Sequence, residues 1–560
     1  MSAQVYKSKH IPASVPAETS VWQFLLRTDV DDIPKDKVIW QEAEHPERTI
    51  NYGDAPNLFA RGATGLQHVL GLKPQDTILI LGMNDLNWVT LAHSAVWAGI
   101  VPAGVNIVAS AYELVHYITV TESRVVFCDS SAIEKVQEGI AMLPKNIAKP
   151  TVVGLGERGS LSLAFPQDFV GAKEPMPPVD LSGQDNGKFV GGICFSSGTS
   201  GKPKAVLLSH RNILAYISGS RTTVPEHVNF KEREVFYAPL SHIYGFIAAL
   251  FVPALSATQM VLLRKYSFRD YISACVATKA TVLRMVPPTA VAMAKDPWVT
   301  QQDLTGIHTI YCSGAVLPPE IIARLEQLMP KSSITQGYGM SEATITILKT
   351  SSAKPKAGSV GRLVSNAELR VVDDDLKDVS PGSQGEILVR GPTVFMGYKN
   401  NPEATAEAFP FQDGWLRTGD VGRIDQDGFV YLTDRKKDLI KFKGLQVPPA
   451  ELEDVLLSHP LVTEAGVCAT WDDAQGTEIP VAYVSLALTV APSDRDRVLA
   501  EVRAHHDKRV APYKKLRGGL FYLSPLPRNP TGKLLRRELP ARKEAGAAAR
   551  QGASQERAKL

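Results

Sequence analysis

A polar loop between two apolar segments is the first part of the chain with the residues to bind an anion. Residues 196–204 read Ser-Ser-Gly-Thr-Ser-Gly-Lys-Pro-Lys. Glycines expose backbone N–H groups, and hydroxyl and ammonium groups add donors and charge, so the composition suits phosphate. The loop is not a Walker A motif, because only two residues separate Gly198 from Gly201 and Pro203 follows Lys202. From composition alone, a surface hairpin is the simpler interpretation.

Two further segments place carboxylates beside glycines. Residues 336–344 read Gln-Gly-Tyr-Gly-Met-Ser-Glu-Ala-Thr, where the glycines allow a planar ligand to lie against the backbone. Ser341 and Glu342 can contact phosphate and a divalent cation. Residues 415–420 read Trp-Leu-Arg-Thr-Gly-Asp, and the carboxylate of Asp420 can bind the two hydroxyls of a ribose. A plain turn is the alternative for each segment.

Two basic segments follow towards the C-terminus. Residues 434–446 contain five lysines and arginines, and residues 527–533 form a proline-rich loop that ends in Lys533. Each of these segments alone is more often structural than functional. Their occurrence together, in this order, indicates a site for an anionic, nucleotide-like ligand.

Composition excludes some classes of function. The chain has 560 residues, of which 44% are hydrophobic and 21% charged, and its net charge of +3 is too small to indicate nucleic-acid binding. From Arg435 onward, 22 lysines and arginines face 15 acidic residues, a net charge of +7. A basic C-terminal part beside a nearly neutral body suits an anionic ligand held between them. A solvated basic surface is the alternative.

Cysteine usage and hydropathy indicate a globular protein of a reducing compartment. The five cysteines are far apart, so we expect buried thiols and not disulfides or a zinc site. The first 20 residues are polar and lack the apolar core of a secretory signal. The longest segment without charged residues, 235–263, contains two prolines, and we expect a loop, a buried helix and a strand there, with no transmembrane segment.

The periodicity predicts an α/β fold. Strands alternate with helices in the first 340 residues, which is typical of parallel sheets covered by helices, and the pattern occurs twice, predicting two α/β layers. Short alternating strands after residue 359 predict a small antiparallel, barrel-like sheet. The strands expected are 77–81, 124–128, 190–195, 205–208, 281–286, 308–312, 333–336, 367–372, 386–390 and 429–432, and the helices expected include 112–121, 212–220 and 320–328.

We expect three parts in the chain. Residues 1–434 form a large domain, residues 435–540 a smaller α+β domain, and residues 541–560 a flexible tail. In the smaller domain a long helix is predicted over 494–509, with His505 and His506 facing solvent.

Taken together, the segments resemble those of the adenylate-forming superfamily, which includes acyl-CoA synthetases, adenylation domains and beetle luciferases. The closest resemblance is to its 4-coumarate–CoA ligase-like branch, and it covers roughly residues 21–533. Two residues depart from the family pattern, since Ala205 replaces the usual glycine and Ser200 the commoner threonine. The resemblance implies a large N-terminal domain and a mobile C-terminal domain that together activate a carboxylic acid with ATP and transfer it to coenzyme A.

The resemblance also implies roles for the nucleotide-site residues. Lys533 would bridge the carboxylate and the α-phosphate, and His242 would lie beside the acyl carboxylate. Thr199 and Glu342 would hold Mg²⁺, and Asp420 and Arg435 would hold the ribose. The full set expected to bind ATP or AMP is Ser196, Ser197, Gly198, Thr199, Ser200, Gly201, Lys204, Gln336, Gly337, Tyr338, Gly339, Ser341, Asp420 and Arg435.

The resemblance places the acyl pocket next to this set. The residues expected to line it are small or apolar, with one aromatic side chain and no buried arginine or lysine: Tyr244, Ala248, Val286, Ser313, Gly314, Ala315, Gly337, Gly339 and Met340. Such a pocket favours a monocarboxylic acid with an aryl or medium-length apolar body over a dicarboxylate or an amino acid. Hydroxycinnamate, phenylacetate, benzoate and medium-chain fatty acids all remain open.

A second catalytic arrangement is implied for thioester formation. In the family the small domain rotates after adenylation, with Lys437 at the hinge position. Lys441 would then replace Lys533, and Lys443, Gly444 and Gln446 would lie near the coenzyme A path. Two alternatives stay open: a luciferase-like oxidation of the adenylate, and delivery of the acyl group to a carrier protein.

The last three residues resemble a peroxisomal address. Ala558, Lys559 and Leu560 are a close variant of Ser-Lys-Leu, which the peroxisomal import receptor binds. We therefore expect a peroxisomal protein, in either β-oxidation or a dedicated biosynthetic pathway of secondary metabolism.

Overall fold

A computed structural model describes residues 4–27, 31–171, 174–196, 202–314, 317–349, 356, 358–443, 445–472, 475–529 and 532–543, and within 345–349 it describes the backbone alone. These residues form two large mixed sheets with helices packed on them, a smaller antiparallel sheet, and a C-terminal unit with its own core. The α/β fold class predicted from the sequence is confirmed.

The first large sheet has eight strands. Its central strands are parallel. Strand Thr77–Leu81, in the middle, is buried at every position, as expected when helices cover both faces of a sheet. Strand Lys204–Ser209 pairs antiparallel with Val190–Ser196, so the polar loop predicted to bind phosphate connects two neighbouring strands. In spatial order the strands are Gly397–Tyr398, Lys204–Ser209, Val190–Ser196, Val101–Gly104, Thr77–Leu81, Val125–Cys128, Thr151–Leu155 and Ala164–Phe165.

The second large sheet has nine strands and carries the rest of the N-terminal chemistry. Its five central strands are parallel, and their carboxyl ends meet at one edge, where ligands bind in open α/β sheets. In spatial order the strands are Arg362–Leu363, Ile345–Lys349, Ser333–Met340, Thr309–Ser313, Val282–Met285, Arg233–Phe236, Gln259–Leu262, Val38–Glu42 and Thr49–Asn51.

Helices cover both sheets, and several begin where the sequence predicts. Asp85 accepts a hydrogen bond from the Trp88 backbone N–H at 2.8 Å, which stabilises the start of its helix. Within the described part of the chain, no helix combines the length and the apolar character needed to cross a membrane. Before the C-terminal unit, the described α-helices are Val21–Arg27, Ala55–Leu70, Leu86–Trp97, Ala111–Thr121, Ile133–Ala141, His210–Thr223, Leu250–Ser256, Phe268–Ala277, Pro287–Lys295, Pro319–Leu328 and Pro402–Ala408, with a π-helical turn at Gly245–Ala249.

The third sheet is antiparallel throughout. It contains the ribose-segment strand, Leu416–Ile424, paired with the strand that ends at Arg435. In spatial order its strands are Tyr6–Lys7, Glu368–Val372, Gly385–Arg390, Leu416–Ile424 and Val430–Arg435. The last of them ends at the domain boundary predicted after residue 434, although that boundary itself stays a prediction.

The C-terminal unit has a separate hydrophobic core. Its helices are Pro449–Leu457 and Arg495–Asp507, and its strands are Ile440–Phe442, Leu445–Val447, Val462–Asp472, Thr477–Leu486 and Leu520–Tyr522. The expectation that His506 faces solvent is wrong, because its side chain is fully buried beneath the helix. The five cysteines are free and buried, as predicted.

Candidate functional site

Residues 415–420, which we call the ribose segment, form a buried hydrogen-bonded group with strand Ser333–Met340, the glycine-rich strand. Tyr338 donates its hydroxyl proton to Asp420, and the Nε of Arg435 lies 3.4 Å from the other oxygen of that carboxylate. Asp420 and Arg435 are directly opposite each other on paired strands, which fixes their spacing. Burial and the Asp420 charge raise the pKa of Tyr338 well above its usual value, so its hydroxyl remains a donor.

A second group of polar side chains lies where strands Val190–Ser196 and Lys204–Ser209 lead into the polar loop. Ser196 and Lys204 face each other as the last pair before the loop. The ammonium group of Lys204 lies 4.9 Å from the ring centre of Tyr398, whose hydroxyl donates to Glu342 at 2.8 Å. Tyr398 was not predicted; it comes from a short strand on the edge of the eight-stranded sheet. This group therefore joins both large sheets.

The C-terminal lysine reaches the same cleft. Burial and the charge of Arg435 lower the pKa of Lys533 to about 8, while Asp420 opposes that shift. Protein surrounds most of the ammonium group of Lys533, but part of the side chain is exposed to solvent. A ligand in the cleft can therefore reach it. The backbone N–H of Lys533 donates to Asn529 at 2.8 Å, which holds the turn that presents it.

His242 faces Lys533 from the large domain. Burial and the nearby ammonium group lower the pKa of His242 to about 4, so the imidazole is neutral at neutral pH. Its Nδ1 accepts a hydrogen bond from the backbone N–H of Tyr244 at 3.3 Å. The ring proton is therefore on Nε2, where it can be donated to an oxygen of a ligand.

Two of the residues predicted for the acyl pocket, Tyr244 and Val286, border the same small cavity. Tyr244 and Ala248 are buried, and Ser313 ends a central strand just before Gly314, whose φ of +103° suits only glycine well. Met340 ends the glycine-rich strand. The expectation of no buried arginine or lysine here is wrong, because Arg284 borders the same cavity and is only 8% exposed.

The remaining nucleotide-segment residues have structural contacts. The side chain of Gln336 accepts from the Leu317 backbone N–H at 2.7 Å, and a side chain at Gly337 would overlap the hydroxyl of Tyr311. Gly339 lies in the same strand, and Ser341 begins the short turn after it.

Of the residues predicted for the site, ten lie outside those that the structure describes: Ser197, Gly198, Thr199, Ser200, Gly201, Ala315, Gly444, Ala558, Lys559 and Leu560.

Lys295 and Arg536 link the C-terminal unit to the large domain, through Leu457 and Val462 and through Asp434 respectively. Lys295 donates to the backbone carbonyl of Leu457 at 3.0 Å, at the end of helix Pro449–Leu457, and to that of Val462, the first residue of the next strand. Arg536 binds Glu453 at 2.6 Å and lies 3.5 Å from Asp434, so the lysine loop is tied to the segment between the domains. Neither contact was predicted from the sequence.

The residues predicted for thioester formation lie elsewhere. Lys441 is exposed on a hairpin opposite Gln446, and its backbone N–H donates to Glu478. Lys443 continues that hairpin with a φ of +47°. Lys437 is in the turn after Arg435. The structure thus brings Lys533, and not Lys441, to His242 and Asp420.

Comparison with known families agrees with this geometry. The sequence model described as AMP-binding enzyme matches residues 27–399, and the one described as AMP-binding enzyme C-terminal domain matches residues 451–533. The chain belongs to the AMP-binding enzyme family. The resemblance to adenylate-forming enzymes inferred from the segments is therefore confirmed, and both matched regions contribute to the cleft.

Individual relatives cover nearly all of this AMP-binding enzyme. It is 33% identical over 474 residues to the 4-coumarate–CoA ligase-like 9 of Arabidopsis thaliana, covering 84% of this chain and 80% of that protein. The crystal structure of the anthranilate CoA ligase AuaEII with anthranoyl-AMP shares the fold, with a TM-score of 0.83 at 23% identity, and covers 95% of this chain and 99% of that one. The o-succinylbenzoate coenzyme A synthetase of Bacillus subtilis with ATP and magnesium has a TM-score of 0.76 at 25% identity, covering 94% and 100%.

Proposed function

We propose that this AMP-binding enzyme is an ATP-dependent acyl-CoA ligase that activates an aryl or medium-chain monocarboxylic acid. The observation that supports this most is the convergence of Lys533, His242 and Asp420 on one cleft between two domains. A lysine from one domain beside a ribose-binding carboxylate from the other suits the joining of two anions, a carboxylate and a polyphosphate.

In the first step a carboxylate oxygen forms a bond to the α-phosphorus of ATP, and the bond from that phosphorus to the bridging oxygen breaks, releasing pyrophosphate. The ammonium group of Lys533 neutralises the approaching carboxylate and the α-phosphate. Neutral His242 orients the carboxylate through its Nε2 proton. Asp420 binds the ribose hydroxyls, and Arg435 holds Asp420 in place.

A magnesium ion fits beside Glu342. Its carboxylate is 7% exposed and receives a hydrogen bond from Tyr398, and among the described residues no lysine or arginine forms an ion pair with it. Carboxylate and hydroxyl oxygens are the protein ligands that magnesium prefers, and Thr199 would supply the hydroxyl. The ion would neutralise the charge of the leaving pyrophosphate. Lys204, held against Tyr398, acts on the same phosphates.

In the second step the sulfur of coenzyme A forms a bond to the acyl carbon, AMP leaves, and the thiol proton is lost. We assign this step to a second orientation, in which rotation near Lys437 withdraws Lys533 and brings in Lys441, Lys443, Gly444 and Gln446. The basic C-terminal domain would thus meet polyphosphate in one orientation and coenzyme A in the other. The names of the relatives favour this over luciferase-like oxidation or delivery to a carrier protein.

Separate half-reactions test the assignment. Adenylation is measured as acid-dependent release of pyrophosphate, and thioester formation is measured from supplied acyl-adenylate and coenzyme A. Lys533→Ala should impair adenylation and spare thioester formation, and Lys441→Ala should do the reverse. If no acid in a broad carboxylate panel releases pyrophosphate, the ligase proposal is wrong; equal losses in both half-reactions would contradict only the exchange of lysines.

We also propose that the enzyme enters peroxisomes through Ala558, Lys559 and Leu560, which are a close variant of the import signal Ser-Lys-Leu. A fluorescent fusion that ends in these residues should be imported, and deletion of the three should leave it in the cytosol. Import that survives the deletion would contradict the proposal.

A further inference from the structure

The small cavity bordered by Tyr244 and Val286 has an aromatic wall, and we call its end at Arg284 the floor. Phe236, Tyr237 and Tyr244 contribute rings, and residues 284–286 contribute one edge. The ring centres of Phe236 and Tyr244 are 5.3 Å apart, so the wall is packed rather than loose. Arg284 is the charged residue that borders the cavity.

Arg284 is neutralised by a carboxylate that is almost inaccessible to solvent. The Nη2 of Arg284 donates to Glu234 at 2.9 Å, and its Nε donates to the other oxygen of the same carboxylate. Glu234 is 1% exposed and lies on the neighbouring parallel strand. The bidentate pair therefore carries no net charge into the cavity.

The guanidinium group keeps donors to spare. It has five N–H groups, of which two bind Glu234 and one points to the hydroxyl of Tyr244 across a long 3.3 Å. Among the described residues, the structure gives no hydrogen-bond acceptor for the other two. Its face lies 5.0 Å from the ring centre of Tyr311, which fixes the plane of the group. Buried donors without a protein partner are costly unless a ligand or water satisfies them.

The position of Arg284 relative to the reacting end is set by the strand. A Cβ placed on Gly532, next to the catalytic lysine, would lie 3.4 Å from the side chain of Val286. Val286 is therefore at the mouth of the cavity. Arg284 is two residues earlier along the strand, about 7 Å away. An acid whose carboxyl group is held by Lys533 and His242, and whose body runs along this strand into the cavity, would bring its far end to Arg284.

We propose that the Arg284–Glu234 pair selects acids that carry a neutral oxygen atom, such as a hydroxyl or a ketone, at the end distal to the reacting carboxyl group. This inference rests on the proposed ligase function. A hydrocarbon end would leave the two N–H groups without a partner, whereas a neutral oxygen satisfies one of them. A second carboxylate is disfavoured because Glu234 already neutralises Arg284, the one cation among the described residues that border the cavity, so an added anion would be buried without a partner.

Matched acids test the selection. With the purified full-length enzyme, ATP, Mg²⁺ and coenzyme A, kcat/KM is measured for octanoic, 8-hydroxyoctanoic and octanedioic acids, and for cinnamic and 4-hydroxycinnamic acids. In whichever series reacts, the hydroxylated acid should exceed its unsubstituted partner by about 10- to 100-fold, the value of a hydrogen bond to a charged group. Octanedioic acid should be the poorest of its series.

Variants distinguish the pair from the rest of the pocket. In the double variant R284M/E234Q, which leaves no buried charge, the ratio between hydroxylated and unsubstituted acids should fall to near 1. The control R269M/D296N, which removes a partly exposed ion pair of the same domain, should keep the wild-type ratio. The single variant E234Q keeps a hydrogen-bonding partner for Arg284 but leaves the positive charge of Arg284 without a carboxylate. It should raise the kcat/KM of octanedioic acid relative to that of octanoic acid by about tenfold or more.

The outcomes separate two failures. If no acid releases pyrophosphate, the ligase function itself is wrong. If acids react but wild-type enzyme does not discriminate between the matched partners, or prefers octanedioic acid, the inference about Arg284 is wrong while the ligase function stands. If the double variant does not fold, E234Q alone decides. The inference is wrong if the kcat/KM of octanedioic acid relative to that of octanoic acid is the same in E234Q as in the wild-type enzyme.

Discussion

Lys295 joins the two domains in the orientation that places Lys533 at the active site, and its removal should weaken that orientation. Its ammonium group donates to the carbonyls of Leu457 at 3.0 Å and Val462, and lies 3.4 Å from that of His459. The carbonyl of Leu457 ends helix Pro449–Leu457, where the helix dipole also favours a cation, and the other two carbonyls belong to the turn and the strand that follow. Lys295→Met keeps the aliphatic packing and removes the charge and the donors.

The size of the effect follows from these contacts. Hydrogen bonds to a charged group contribute about 1.5–3 kcal/mol each, and a helix C-terminus adds about 0.3–1 kcal/mol. Partial burial opposes them, since desolvation lowers the pKa of Lys295. A net loss of about 2 kcal/mol corresponds to roughly a 30-fold shift between the two orientations.

The half-reactions measure this shift. Adenylation, followed by pyrophosphate release, should slow by about 5- to 30-fold in Lys295→Met, while thioester formation from supplied acyl-adenylate should be unchanged or faster. Lys331→Met, at an exposed lysine of the same domain, is the matched control. Thermal unfolding of both variants checks that the fold is retained.

Two results would refute this reasoning. If adenylation by a folded Lys295→Met enzyme equals that of wild type, the contact does not set the orientation. If both half-reactions slow by the same factor, the variant has damaged the enzyme generally, and the selective role assigned to Lys295 is wrong.

Three other predictions concern single residues of the cleft. Because the pKa of Lys533 is about 8, kcat/KM for adenylation should fall as pH rises through about 8 and the ammonium group loses its proton; a pH profile of Lys533→Arg should lack that fall. Asp420→Asn should raise the KM for ATP by about tenfold or more, as measured by initial rates, because the amide replaces a charged acceptor. Gly337→Ala should destabilise the protein by about 1–3 kcal/mol, measured by denaturant unfolding, and Tyr311→Phe should restore part of the loss by removing the overlapping hydroxyl.

Local periodicity predicted most of the elements. The strand expected at 77–81 occurs as Thr77–Leu81, and the helix expected at 320–328 as Pro319–Leu328, because both signals depend on neighbouring residues alone. The strand expected at 333–336 continues to Met340, since its second half pairs with strand Ile345–Lys349. Glycines in a sequence indicate a turn, and only the pairing partner shows that they lie in a strand.

The segments also predicted Lys533, Asp420, Arg435 and His242, which the structure brings into one cleft. Tyr398 was missed because it reaches the site through strand pairing, with almost 200 residues between it and the polar loop. Arg284 gave a signal that could have been followed: it is a charged residue inside an otherwise apolar strand, and Glu234 occupies a similar position in another. A charge in a buried strand requires a partner, and the partner pair indicates a site.

Strand Val282–Met285, which contains Arg284 and leads to Val286, sets the length of acid that reaches from one end of the cavity to the other. Val282–Met285 is hydrogen-bonded to Arg233–Phe236 on one side and to Thr309–Ser313 on the other. It cannot shift or gain a residue without disrupting both pairings, so the span from the reacting carboxyl group to the guanidinium group is fixed by the backbone. A change in the length of acid accepted during evolution or engineering therefore requires a different side chain at position 284, while the adenylating residues can stay as they are.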